Sequence, residues 1–248
     1  MLELKNINKT FRKNMINKKD IFKDFNIKVD KGEFVTIIGG NGTGKSTLMN
    51  LISGTEFPDS GKIFIDGKDV TNIPEFKRSK FIGRVFQDPL KGTAPNLTVE
   101  ENLSLALLKG NRRGLNFALN KNIRNSFKDR LKELNLGLEN QLTTKIGLLS
   151  GGQRQAITLL MATLNTPKIL LLDEHTAALD PKSSEKVLDI TKKITSDYKI
   201  TTLMITHNMK HALTLGTRTI MLGNSGLIMD LNGEERENIN VKELYSKL

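Results

Sequence analysis

The chain has 248 residues, 38% hydrophobic and 26% charged, with 20 Gly and 6 Pro, the balance of a globular protein rather than a disordered or fibrous one. At about 150 residues per domain, this length fits one large domain or one domain with a substantial insertion. It has no Cys and a formal net charge of +11, which excludes disulfide scaffolds, Fe–S clusters and thiolate zinc sites and favours anionic partners.

Taken in order, Met1-Leu2-Glu3-Leu4-Lys5 lacks the apolar stretch of a signal peptide. Phe25, Ile27 and Val29 alternate as in a half-buried strand, closed by a turn at Asp30-Lys31-Gly32. Phe34 to Ile38 reads as a buried strand running into a glycine-rich loop, followed by a helix over 45–52. Gly61 to Ile65 is a strand closed by Asp66-Gly67, and Gly83 to Phe86 is another short one. From about 97 to 164 the character is mostly helical. Thr98 and Glu101 have capping-box spacing for a helix toward Leu108, and Ile123, Phe127, Leu131 and Leu134 recur at helical spacing. Gln153 to Leu164 is a further helix.

The stretch from Lys109 to Lys132 carries a net charge of +7 in 24 residues, suited to nucleic acid, nucleotides or anionic lipid, or simply to a solvated helix face. Strand character then returns at Ile169 to Leu172, in an apolar run far below the roughly 20 residues that cross a bilayer. Asp180 is placed as the N-cap of a helix over Pro181 to Thr195, and Ile200 to Ile205 is another buried strand. Thr219 to Leu222 and Leu227 to Leu231 close the pattern as a strand pair. Such alternation predicts an α/β fold, a mainly parallel sheet flanked by helices. The expected protein is intracellular and does not span a membrane by itself.

Gly39-Gly40-Asn41-Gly42-Thr43-Gly44-Lys45-Ser46 satisfies G-x-x-x-x-G-K-[ST] between a predicted strand and a predicted helix. Backbone N–H groups converge on phosphate oxygens only where no Cβ blocks the approach, hence the glycines. The helix start beyond, with Ser46 and Thr47, adds its positive end to the same anion. Lys45 is expected to reach the β- and γ-phosphates and the Ser46 hydroxyl to ligate Mg²⁺. The apolar run at 169–172 ends in Asp173 and Glu174. Strand alternation sends the two carboxylates to different sides, so Asp173 suits the metal and Glu174 suits general-base work on a water.

Further along, Leu149-Ser150-Gly151-Gly152-Gln153 begins 104 residues after Lys45 and ends 20 before Asp173. It resembles the signature motif of the ATP-binding-cassette (ABC) ATPases. Gln87 in Val85-Phe86-Gln87-Asp88-Pro89 resembles that family's Q-loop, Ala178-Leu179-Asp180 its D-loop and His207 its switch histidine. Phe11 is the best match to the aromatic that stacks on adenine, with Phe22 its rival. The resemblance runs from about residue 2 to 231 and implies a P-loop NTPase fold. Residues 1–90 and 165–235 would form a RecA-like core with an N-terminal antiparallel β part, 91–164 an inserted helical subdomain and 236–248 a short tail. It further implies that two copies sandwich two ATP, with Ser150, Gly151, Gly152 and Gln153 of one closing over the nucleotide of the other. In that arrangement Glu174 activates water, His207 contacts the γ-phosphate, and Gln87 joins Ser46 and Asp173 at Mg²⁺.

Two departures stand out: His175 where many members have Pro, and Gly40 where Pro or Ser is common. The string Asp173-Glu174-His175-Thr176 suggests an importer branch associated with amino-acid-like solutes. The leading expectation is therefore the ATPase subunit of a transporter. It would sit on the cytoplasmic face, with separate permease subunits and a solute-binding protein acting through them. The alternative is an ABC ATPase that works on nucleic acid or ribosomes, suggested by the basic stretch. An inactive regulatory cassette conflicts with intact Lys45, Asp173, Glu174 and His207.

Asn17-Lys18-Lys19-Asp20 spells a guanine-reading N-K-x-D but precedes the phosphate loop, so it reads as a charged loop. His207 and His211 have the spacing of metal ligands on a helix, yet Asn208 stands where a zinc protease needs Glu.

Overall fold

Strands buried on both faces read as continuous apolar runs, and the central sheet is built on three of them. In the computed structural model, which describes residues 1–11, 19–109, 120–224 and 226–246, the chain opens with β1 (Leu2–Phe11), β2 (Lys19–Val29) and β3 (Phe34–Gly39). Next come α1 (Lys45–Ser53), β4 (Ser60–Ile65), β5 (Lys68–Asp69), α2 (Glu75–Arg78) and β6 (Ile82–Val85). The helical stretch holds α3 (Val99–Leu107), α4 (Lys121–Lys132) and α5 (Gly151–Thr163). Thereafter follow β7 (Ile169–Asp173), α6 (Pro181–Asp197), β8 (Thr201–Ile205), α7 (Met209–Thr214), β9 (Arg218–Gly223) and β10 (Gly226–Asn232). Two short helices, α8 (Gly233–Asn238) and α9 (Val241–Ser246), come last.

The larger sheet has the order β10-β9-β3-β8-β7-β6. Its pairs are parallel except β9 with β10. The smaller sheet, β2-β1-β4-β5, is antiparallel throughout. Alternation along the strands divides the interior into two cores. Ile37, Leu171, Leu203 and Ile205 pack with Leu48, Leu51 and Ile52 of α1 and with Leu4, Phe22 and Phe25 of the small sheet. On the other face, Leu170, Leu172 and Met204 pack with Leu103, Phe127, Leu131, Ile157 and Leu188. The helical stretch thus shares its core with the sheet instead of standing apart on its own.

α1 is fixed at its C-terminal end by Arg78. Its wholly buried guanidinium donates to the Leu51 and Ile52 carbonyls at 2.7 and 2.8 Å. Burial pulls the Arg78 pKa down to about 10, so the cation persists at neutral pH and caps the orphan carbonyls.

Two readings need revision, and two features escaped the sequence. β1 escaped the periodicity because bulges break its register with β2 between Leu4 and Thr10. Lys19 and Asp20 open a strand rather than sit in a loop, while Asn17 and Lys18 lie outside the described residues, as do Arg112 and Arg113 of the basic stretch. His207 precedes α7, so it shares no helix face with His211. Residues 236–246 complete α8 and form α9, whose Leu244 is fully buried against Met209, Ala212, Ile38 and Met221.

Candidate active site

The loop over Gly39–Lys45 joins β3 to α1, and two of its glycines are obligatory for steric reasons. Gly39 has φ +151° and a Cβ there would fall 2.4 Å from the Leu222 carbonyl oxygen; at Gly44, φ +99°, it would strike Ile21 at 2.6 Å. Because Gly44 is also the N-cap of α1 and offers no side chain, the first amides of that helix carry no side-chain cap. Asn41 and Ser46 are exposed at the loop mouth, whereas Thr43 bonds the Gly40 carbonyl oxygen at 2.9 Å. Lys45 is buried, its Nζ donating to the Gly39 and Gly40 carbonyls, both at 2.8 Å. Burial lowers the Lys45 pKa, and the facing Glu174 and Asp173 oppose the fall. An uncapped helix start, a glycine-lined loop and a buried ammonium make a cradle for a polyanion.

Asp173 ends β7 half-buried, 3.7 Å from Arg84 Nη2. Its pKa is raised by burial, with the Arg84 cation pulling the other way. Arg84 also donates to Asn50 Oδ1 at 2.8 Å and lies over the Phe86 ring, tying β6 to α1. Glu174 lies beyond the strand, not in its pleat. Its φ is +47° and its amide donates to the Ile205 carbonyl oxygen at 3.2 Å. A left-handed turn, rather than strand alternation, therefore separates the two carboxylates. Glu174 Oε1 meets His207 Nε2 at 2.6 Å. The Thr206 amide donates to the Ile37 carbonyl oxygen at 3.1 Å, hanging the histidine turn from the strand that launches the phosphate loop. These contacts bring Lys45, Asp173, Glu174 and His207 to one end of the parallel strands, where α/β sheets bind ligands.

Ser150 is the N-cap of α5 in a full capping box with Gln153. Gly151 and Gly152 occupy its first turn, and a Cβ on Gly152 would meet Ser183 of α6 at 2.8 Å. Among the described residues, no hydrogen bond or ion pair joins this turn to the phosphate loop, so it presents a second exposed helix start. Asp180 caps α6 through the Ser183 amide at 3.0 Å. Gln87 is exposed just past β6. A groove of about 670 Å³ lies between α3 and α5, where Arg84, Lys91, Leu105 and Lys109 help to line it. Phe22 is 1% exposed and stacked in the core on Phe25, whereas Phe11 is 37% exposed at the end of β1. Thr47 is partly buried one turn into α1.

Sequence reasoning missed two cations. Arg84 has no motif and is found only through its contact with Asp173. Lys19, opposite Phe11 in the β1–β2 register, places Nζ 2.8 Å from where a Gly42 Cβ would stand. Its signal lay hidden in the decoy N-K-x-D string.

The fold and this constellation are those of a nucleotide-hydrolysing P-loop cassette. A family model described as ABC transporter matches residues 22–177, and the chain belongs to that family as an ATP-hydrolysing, ATP-binding subunit. It is 48% identical over 247 residues to the tyrosine transport ATP-binding protein of Clostridioides difficile, covering 100% of this chain and 98% of that protein. Against a spermidine/putrescine import ATP-binding protein of Haemophilus influenzae, identity is 35% over 237 residues, spanning 96% of this chain but 59% of that one. Among solved structures, a dimeric ATP-binding cassette in a post-hydrolysis state with ADP and Pi matches at TM-score 0.79 and 32% identity. That match covers 94% of this chain and 98% of the other. No helix among the described residues is long and apolar enough to cross a membrane.

Proposed function

We propose that two copies of this chain close head to tail around two ATP at the cytoplasmic face of the membrane and drive import of an amino acid through separate permease subunits. An extracellular solute-binding protein would deliver that amino acid to the permease. The observation that carries the mechanism is Glu174 held at 2.6 Å by His207 on the end of the sheet that bears Lys45. The choice of solute rests on end-to-end similarity to the tyrosine transport protein.

The residues divide the work. Phe11 stacks the adenine, and the amides over Gly39–Thr47 take the phosphates. Lys45 exchanges its two carbonyl partners for phosphoryl oxygens. A serine hydroxyl, a carboxylate and a glutamine form an oxygen donor set that suits Mg²⁺, which is usually held by few protein ligands plus substrate phosphates. Ser46, Asp173 and Gln87 would hold it, and when bound it neutralises charge on the β- and γ-phosphates. Glu174 takes the proton of the attacking water, and His207 orients that carboxylate and contacts the γ-phosphate. Ser150, Gly151, Gly152 and Gln153 complete the site of the opposite copy with the α5 helix start.

Residues 1–90 and 165–235 serve nucleotide binding in this reading. Residues 91–164 serve the permease through the groove between α3 and α5 and the opposite copy's nucleotide through 150–153, and 236–248 support the turn after His207. A nucleic-acid role gains little from the basic stretch: Arg124 is held by Glu100 at 2.6 Å and Arg130 is bonded to Tyr198.

The two aromatics separate cleanly by experiment. Phe11→Ala is expected to weaken ATP binding about tenfold, the loss of one base-stacking contact, at unchanged melting temperature. Phe22→Ala is expected to destabilise the fold by about 3–5 kcal/mol through an unfilled core site, read by chemical denaturation. Uptake of labelled tyrosine by cells whose only copy carries Glu174→Gln tests the transport reading. Loss of tyrosine uptake is the expected result; intact tyrosine uptake with lost putrescine uptake would refute the amino-acid assignment.

A further inference from the structure

His175 is 2% exposed and directly follows Glu174, yet it reaches neither the phosphate loop nor solvent. Its Nε2 lies 3.2 Å from Thr191 Oγ1, on α6 sixteen residues further along the chain. The Thr191 hydroxyl already donates its one proton to the Val187 carbonyl oxygen at 2.7 Å. Toward His175 it is therefore an acceptor, and the imidazole must carry its proton on Nε2. That assignment leaves a directed N–H donor buried at the first residue after the left-handed Glu174.

A glutamate at φ +47° persists only where its surroundings over-determine it. On one flank, the Glu174 amide is held by the Ile205 carbonyl oxygen at 3.2 Å. Within the turn, the Ala177 amide donates to the Glu174 carbonyl oxygen at 2.9 Å. On the other flank, the fixing contact is the His175 ring on Thr191. We infer that His175 and Thr191 act together as a positioning pair for hydrolysis, clamping the turn so that the Glu174 carboxylate stays registered on His207. His175 contributes shape and one hydrogen bond, and its proton takes no part in the chemistry. A cavity of about 490 Å³, lined by Glu174, His175, His207 and Tyr245 among others, leaves room for the turn to relax once the clamp is cut. This inference rests on the reading of Glu174 as the base.

Steady-state ATPase assays on the full chain test it, with His175→Leu, His175→Gln, Thr191→Val and Glu174→Gln compared with the parent. Gln keeps a donor near the Nε2 position, whereas Leu keeps bulk alone; Val replaces Thr without its hydroxyl. Expected is a fall in kcat of about tenfold for His175→Leu and Thr191→Val, with KM for ATP unchanged, because misplacing a catalytic group harms turnover more than binding. His175→Gln should stay within about twofold of the parent, and His175→Leu/Thr191→Val should be no worse than either single variant, as for residues acting as one unit. Parent-like kcat in Thr191→Val, or equal impairment of Gln and Leu at position 175, would overturn the clamp. If Glu174→Gln keeps full turnover, the base assignment and the clamp fall together. If Glu174→Gln is inactive while Thr191→Val is normal, the clamp alone falls.

Discussion

Glu174→Gln is expected to cut ATP turnover by about 10²–10⁴-fold, the range lost with a positioned general base, while nucleotide still binds. The substitution keeps the volume of the side chain and its ability to bond His207, so the left-handed turn has no new reason to move. What disappears is an acceptor for the proton of the attacking water. Lys45 gives a sensitive internal check, since Glu174 and Asp173 both favour its charged form against burial. Removing the Glu174 charge takes away one support of that ammonium but leaves Asp173 and the phosphate loop in place, and the triphosphate itself favours the charged lysine, so affinity for ATP holds while hydrolysis stops. Release of inorganic phosphate and equilibrium binding of a fluorescent ATP analogue, measured on one preparation, read the two quantities separately.

Lys45→Ala is expected to fail one step earlier. The buried ammonium is held by two main-chain carbonyl oxygens at 2.8 Å, and it gives up those neutral partners for an anion. Hydrogen bonds to charged groups contribute about 1.5–3 kcal/mol each, so ATP affinity should fall at least about tenfold. The variant also leaves Asp173 and Glu174 without their shared cation, adding repulsion toward the incoming phosphates. Binding isotherms check this. Wild-type affinity in Lys45→Ala would place the phosphates elsewhere than on this loop.

What was legible in the sequence is what chemistry confines to neighbouring residues. The glycines at 39 and 44, the Thr98–Glu101 capping box and the apolar run ahead of Asp173 each declare their function within a few positions. The parallel sheet was legible for the same reason, since strands buried on both faces read as nearly continuous apolar runs. Hidden features depend on distant partners. Arg84 matters through Asp173, and Leu244 through Met209 and Ile38. The partner of His175 lies a full helix away, so the residue could be noticed as a departure from the family pattern but not explained. β1 was lost because its bulges break the alternation on which strand reading depends. The sign of φ at Glu174 leaves no trace in composition, and it is this turn, not strand alternation, that sets Glu174 apart from Asp173.

If triphosphate joins two copies, its removal or an obstacle at the second helix start must separate them. Light scattering on Glu174→Gln with ATP measures this most directly, because stalled hydrolysis lets the closed form accumulate. The expected mass is twice the 27.7 kDa of one chain, returning to a single chain without nucleotide or when Ser150→Asp is added. Asp caps a helix as well as Ser does but sets a negative charge against the opposite copy's phosphates. A monomer in saturating ATP, or a dimer indifferent to the charge at position 150, would contradict the shared nucleotide site.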